Sequence, residues 1–230
     1  MPTAGLLFAK TSPKHPDLTE EVFNKWYSTE HIQDVVDAGL ADLAIRYKNL
    51  DPKAKYQYLA VYRIPDVSKL SDEKFMATIK KDSKLLPGKE PGKNGEWPDV
   101  LDAEIPGYEI LQSFEGPNDQ KTRAKGIVTV AMEPAEGTDD DFDDWYRKQH
   151  LDMISMCRGY HRSTRYKKLD GSKPRYLAIH EYETTDFPGD QLKVVVGTEW
   201  SKKVIKNSPI FDRNMWEYIT EYRKGGQEKL

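Results

Sequence analysis

Residues 23–32 of this 230-residue chain read F-N-K-W-Y-S-T-E-H-I, and residues 142–151 read F-D-D-W-Y-R-K-Q-H-L. Phe, Trp, Tyr and His recur 119 positions apart. Arg46-Tyr47-Lys48-Asn49-Leu50-Asp51 recurs as Arg165-Tyr166-Lys167-Lys168-Leu169-Asp170 at the same offset, and Tyr58-Leu59-Ala60-Val61-Tyr62 recurs as Tyr176-Leu177-Ala178-Ile179-His180 at an offset of 118. An ordered repeat constrains a fold strongly, because each copy must build the same unit. The chain therefore divides into two homologous halves, 1–116 and 126–230, joined by a linker at 117–125 within the polar, Gly/Pro-containing stretch Glu115–Lys125.

Each half shows the same order of elements. Short apolar runs at Gly5–Ala9 and Gly126–Ala131 predict buried strands. A helix follows over Leu18–Ala38, with Thr19 as N-cap, Glu20 and Glu21 in its first turn and Gly39 at its end. Thr138 and Asp139–Asp141 open its counterpart. Second strands are expected at Leu43–Leu50 and Ser163–Leu169, and third strands at Tyr56–Ile64 and Arg175–Tyr182, joined by turns at Asp51-Pro52 and Asp170-Gly171. Second helices are placed near Lys69–Lys80 and Leu192–Lys206, and last strands at Tyr108–Gln112 and Trp216–Thr220. The order β-α-β-β-α-β, twice, is the ferredoxin-like motif. The fold class is α+β: two tandem ferredoxin-like halves whose antiparallel sheets pack on each other as an α/β barrel within one chain. An insert near 81–102, rich in Pro, Gly and Lys, is expected as a loop over one edge.

Composition narrows the function. The balance of 35 basic against 38 acidic residues lacks the basic excess of a nucleic-acid protein. No apolar run approaches the ~18 residues that span a bilayer, and the start lacks a basic region followed by an apolar one, so no secretory signal is read. A lone cysteine, Cys157, cannot form an internal disulfide, which fits a reducing compartment and a cytoplasmic location.

The F-x-x-W-Y-x-x-x-H pattern resembles the dimeric α/β-barrel superfamily and, more narrowly, the EthD-like domain family, here in a fused two-copy form. Phe23, Trp26, Tyr27, Glu30 and His31 fit that pattern, as do Phe142, Trp145, Tyr146 and His150, although Gln149 replaces the acidic residue before the histidine. Members of the superfamily include cofactor-free monooxygenases, polyketide cyclases, muconolactone isomerases, decarboxylases and haem enzymes, so the likeness bears on fold more than on reaction. It implies a ligand pocket between helices and sheet in each half, of which duplication leaves one free to drift.

His31 shares a helix face with Phe23, Tyr27 and Val35, and His150 one with Phe142, Tyr146 and Ile154. An imidazole facing an apolar cavity is a candidate acid/base, with an ordinary pKa of about 6.5. The same placement suits a structural histidine bonded to a strand carbonyl or a tyrosine. His31 and His150 are the candidate catalytic residues. Trp26, Tyr27, Tyr58, Tyr62, Trp145, Tyr146, Tyr176 and His180 are the candidate substrate-binding residues, with aromatic packing between helix and sheet as the alternative. His180 stands where the first half has Tyr62, and strand alternation puts it on a face with Tyr176 and Tyr182. His15 and His161 are expected in solvated loops. Arg46 and Arg165 could clamp a carboxylate, but an alternating strand with these cations exposed or paired with helix carboxylates accounts for them more simply. The acidic run Asp139–Asp144 fails the calcium-loop spacing and suits a helix N-terminus. Zinc, redox, dinucleotide and nucleotide-triphosphate motifs are absent, no nucleophile elbow exists, and neither a metal nor a cofactor is expected.

These readings favour a cofactor-independent lyase, cyclase or isomerase that moves a proton next to a carbonyl of a small aromatic or polyketide-like molecule, in secondary metabolism or catabolism. A non-catalytic small-molecule binder and a cofactor-free monooxygenase are the alternatives. The expected partner is a small hydrophobic or aromatic molecule, with no nucleic acid or membrane, and the chain is expected as a monomer or homodimer.

Overall fold

The computed structural model describes residues 2–90, 92–116 and 122–225. Most of the expected linker, 117–121, lies outside the described residues. In chain order the elements are β1 (Gly5–Pro13), α1 (Glu20–Trp26), a π-helical turn (Tyr27–His31), α2 (Ile32–Asp37), β2 (Leu43–Asn49), β3 (Tyr58–Ile64), a 3-10 turn (Val67–Ser71), α3 (Glu73–Met76), β4 (Asp82–Ser83), β5 (Gly95–Glu96), α4 (Trp97–Val100), β6 (Leu101–Glu104) and β7 (Gly107–Glu115). The second half supplies β8 (Gly126–Glu133), α5 (Asp139–Trp145), a second π-helical turn (Tyr146–His150), α6 (Leu151–Ser155), β9 (Tyr160–Lys168), β10 (Tyr176–Tyr182), α7 (Gly189–Val196), α8 (Glu199–Asn207) and β11 (Ile210–Arg223).

The described residues form two compact units: 2–109 with 219–225, and 110–218. In the first, β1 is central. It pairs antiparallel with β3 from Gly5↔Ile64 to Thr11↔Tyr58 and with β7 from Gly5↔Glu109, while β2 pairs with β3. In the second, β8 is central. It pairs with β10 from Tyr176↔Met132 to Tyr182↔Gly126 and with β11 from Ile210↔Glu133 to Glu217↔Gly126, while β9 pairs with β10. Last-first-third-second is the strand order in both, as a ferredoxin-like unit requires. The last strands are long, so Ile110–Glu115 of β7 belongs to the second unit and Ile219–Arg223 of β11 to the first.

The first helix of each half forms for local reasons. Thr19 caps α1 by accepting from the Val22 N–H at 3.2 Å, and acidic residues favour the positive first turn of both α1 and α5. Gly39 and Gly159 adopt φ of +84° and +73° just past the helical segments, a conformation that costs a side chain but not glycine. Phe23, Trp26, Val36 and Leu40 are buried in the core of the first unit, and Phe142, Trp145, Leu151 and Ile154 in that of the second. Each fully buried side chain of this size stabilises by about 1.5–3 kcal/mol.

Three expectations need correction. The helix expected near Lys69–Lys80 is a 3-10 turn followed by the four-residue α3, because Asp66 and Asp72 each cap a new start, accepting from Ser68 N–H and Phe75 N–H at 3.0 Å. The one expected near Leu192–Lys206 is split into α7 and α8, because Thr198 caps a fresh helix from Ser201 N–H at 3.1 Å. The insert is not a plain loop: it holds the β4–β5 pair, α4 and β6, and β6 pairs with β1 from Lys10↔Glu104 to Pro13↔Leu101. No helix among the described residues is long and apolar enough to cross a membrane.

Candidate functional site

Each half carries a cavity between its helices and its sheet. The first, of about 400 Å³, is lined by Leu7, Ala9 and Thr11 of β1, Trp26, Tyr27, His31 and Val35 of the helical segment, Tyr62 of β3, and Met76, Trp97 and Ile105. The second, of about 440 Å³, is lined by Val128, Val130 and Met132 of β8, Trp145, Tyr146, His150 and Ile154, His180 and Tyr182 of β10, Val195 and Lys193 of α7, and Phe211 and Arg213 of β11. Both volumes suit a small organic ligand.

The π-helical turns place the two helix histidines. In each, the N–H of the residue after the turn bonds the carbonyl five residues back, Ile32 to Tyr27 and Leu151 to Tyr146. Residues five apart in an ordinary α-helix point about 140° away from each other. The extra residue in the turn brings them together, so His31 stacks on Trp26 at 4.9 Å and His150 lies over Trp145 at 4.3 Å. Insertions of this kind are frequent at functional sites. The residue before each histidine is used structurally: Ser83 Oγ donates to Glu30 at 2.7 Å, and Thr198 Oγ1 donates to Gln149 at 2.9 Å. Each bond ties the covering segment to the turn, which explains why Glu and Gln serve alike.

Behind the helix of each half sits a buried arginine, contrary to the expectation of exposure. Arg46 is 1% exposed and donates to Asn24 O, Asn24 Oδ1 and Ser28 Oγ, with Tyr27 against its guanidinium at 4.4 Å. Arg165 is 3% exposed and donates to Asp143 at 2.8 Å and Gln112 at 2.9 Å, with Tyr146 at 4.2 Å. The pairing with a helix carboxylate thus holds for Arg165, whereas Arg46 uses neutral acceptors.

The electrostatics favour neutral imidazoles and protonated phenols. Burial holds His31 down to about 4, with Arg46 adding to the effect. Burial likewise lowers His150 to about 3, with His180 and Arg165 adding, and His180 to about 4, with Arg213 adding. Burial pushes Tyr146 up to about 12 and raises Tyr182 and Tyr62. Among the described residues, three buried polar atoms on cavity-lining residues have no hydrogen-bond partner: Thr11 Oγ1 in the first cavity, His150 Nδ1 and Tyr182 Oη in the second. Buried polar groups are rarely left so, and such atoms mark places where a ligand or water completes the bonding.

Most candidate residues meet at these cavities. His31, Trp26, Tyr27 and Tyr62 share the first, where the Tyr62 hydroxyl lies 3.4 Å from that of Tyr27. His150, His180, Trp145 and Tyr146 share the second, with the two imidazoles edge to face at 6.0 Å. Tyr58 and Tyr176 stand apart. Tyr58 bonds Glu20 and Asn24, and Tyr176 donates to Asp139 at 2.7 Å, so both anchor the helix start. His15 is in a turn, where its Nδ1 accepts from the Asp17 N–H at 3.2 Å. His161 is not solvated: it lies in β9 and is 8% exposed. Sequence reasoning missed Arg213, Lys193 and the Ser163–Tyr160 pair behind His180. Ser163 Oγ is 2.7 Å from His180 Nδ1 and 2.9 Å from the Tyr160 hydroxyl, which is 3.1 Å from the Phe114 carbonyl.

No family model matches the chain. A relative, core atranone cluster (CAC) protein 1 of Stachybotrys chlorohalonatus, is 29% identical over 238 residues, covering 96% of this chain and 92% of that protein. Among solved structures, an anthrone oxidase-like protein superposes with a TM-score of 0.62 at 14% identity, covering 99% of this chain and 95% of that one. A mutant chlorite dismutase of Candidatus Nitrospira defluvii does so with a TM-score of 0.63 at 9% identity, covering 94% and 91%. At these identities the structural likenesses establish the fold alone.

Proposed function

We propose that the protein is a cofactor-independent enzyme that moves a proton at a carbon next to a carbonyl of a small aromatic or polyketide-like compound, in the manner of a lyase, cyclase or isomerase. The observation that carries this reading is the pair His150 and His180, two imidazoles held neutral on the wall of one apolar cavity of about 440 Å³. A neutral imidazole can take a proton, and a second one nearby can return it elsewhere on the ligand. The protonated phenols of Tyr146 and Tyr182 supply hydrogen-bond donors for an enolate oxygen. Val128, Val130, Ile154 and Val195 give the cavity an apolar lining. The name of the Stachybotrys relative supports a setting in secondary metabolism.

The test is a metabolite profile of a strain lacking the protein, followed by incubation of the accumulating compound with purified protein in D2O. The reading expects conversion without added cofactor and deuterium at the carbon beside the carbonyl. Stoichiometric binding with no product would make the protein a binder. Conversion that stops without dioxygen would make it an oxygenase that uses the same proton abstraction.

A further inference from the structure

The two cavities can be compared position by position, because the strand registers match. Lys10 pairs with Glu104 and Gly5 with Glu109 in the first half; Ala131 pairs with Asp212 and Gly126 with Glu217 in the second. Ile105 and Arg213 therefore occupy the same place, and both line their cavities. Tyr62 and His180 are a second such pair. The second cavity thus carries an imidazole and a guanidinium where the first carries a phenol and an alkyl group.

The hydrogen-bond chain behind His180 occupies its Nδ1. The Tyr160 hydroxyl lies 3.1 Å from the Phe114 carbonyl and 2.9 Å from Ser163 Oγ, and Ser163 Oγ lies 2.7 Å from His180 Nδ1. That leaves His180 Nε2, which has no partner among the described residues, for the cavity; a base there requires the Nδ1–H tautomer, with the lone pair on Nε2. Arg213 lies on the same face, one residue pair along the central strand: it is opposite Val130, and His180 is opposite Val128. Neither Arg213 nor Lys193 makes an ion pair among the described residues, and no carboxylate lines the cavity. The other titratable groups on its wall are His150, Tyr146 and Tyr182.

We infer that the second cavity takes an apolar weak acid, a phenol, enol or β-dicarbonyl, whose proton passes to His180 Nε2 while Arg213 holds the oxygen that becomes negative. The ligand's O–H or C–H bond breaks and an N–H bond forms. His180 becomes an imidazolium, the electron pair stays on the ligand, and the same proton is available for return. This rests on the proton-transfer reading above and names its substrate class and counter-charge. Lys193, on the opposite wall, adds a second positive charge.

The probe is 4-nitrophenol, whose absorbance reports its ionisation. Bound to the wild-type protein it should ionise about one pH unit lower than in solution, as an adjacent cation requires. Arg213→Ile should abolish that shift and Arg213→Lys should keep it; Arg213 is exposed, so neither change disturbs the core. A shift that survives Arg213→Ile, a bound probe that stays neutral to higher pH, or no saturable binding would each overturn the inference. Nitrogen-15 spectra should show His180 as the Nδ1–H tautomer, with Ser163→Ala releasing the other form; an Nε2–H tautomer in the wild type would also overturn it. Phenolate binding without turnover of any metabolite would leave this inference standing and sink the enzyme reading, and turnover with preference for the neutral phenol would do the reverse.

Discussion

The first and second cavities have the same frame and different contents. Leu7, Ala9, Trp26, Tyr27, His31 and Val35 match Val128, Val130, Trp145, Tyr146, His150 and Ile154 in place and largely in kind. The walls that close them differ. A four-residue helix and the insert's Trp97, 6.3 Å from His31, cover the first. The second is covered by α7 and α8, and Ser201 accepts from Trp145 Nε1 at 3.1 Å while donating to Val195 O at 2.9 Å, which fixes the ring under His150. Duplication kept the helix histidine in both halves, so that histidine alone does not mark a working site. The residues that differ, Tyr62 against His180 and Ile105 against Arg213, carry the distinction.

The comparison can be broken by exchanging those contents. Converting the second cavity to the first with His180→Tyr and Arg213→Ile should lower turnover by about 10²–10⁴, the usual contribution of a positioned acid/base group, as read from kcat/KM with the compound that accumulates. The buried arginines give the next largest contrast. Asp143→Ala leaves Arg165 buried with Gln112 as its remaining hydrogen-bond partner among the described residues and should destabilise by about 2–3 kcal/mol, somewhat below the full cost of orphaning a buried charge because Asp143 is partly exposed. Asn24→Ala removes one neutral acceptor from Arg46 and should cost about 1 kcal/mol. Urea unfolding of both variants measures the difference, and equal losses would show that the two arginines are held alike.

Acidification gives a further contrast. His31, His150 and His180 bind a proton less readily folded, at about 4, 3 and 4, than unfolded, at about 6.5. The unfolded chain therefore takes up protons first as pH falls. Their stabilisation is complete above about pH 6.5 and is lost as pH drops toward 4. Between pH 7 and 5 each should contribute at most ~2 kcal/mol of loss. Melting curves at the two pH values should show a smaller drop for His180→Tyr than for the wild type, and an unchanged drop would place His180 in contact with solvent.

Much of the frame was legible because side-chain identity carries it. The repeated F-x-x-W-Y-x-x-x-H run marks one buried helix face, and the alternating third strands put Tyr62 and His180 on the same face as their helices. The π-helical turns were not legible, since shifting one hydrogen bond by a residue leaves no mark in composition. The burial of Arg46 was hidden for a related reason: Asn24 and Ser28, which satisfy it, read in sequence as ordinary polar helix residues. The Ile105–Arg213 equivalence was obscured by unequal lengths between third and last strands. The helix histidines recur 119 residues apart but these two positions only 108 apart, so strand register was needed to align them.

The most direct test of the account compares His31→Ala with His180→Ala in a strain lacking the wild-type protein, following the compound that accumulates. If the second cavity does the chemistry, His31→Ala clears the compound as the wild type does, and His180→Ala, folded to the same melting temperature at pH 7, leaves it at the level of the deletion. Clearance by His180→Ala together with accumulation in His31→Ala would contradict the account and move the working site to the first half.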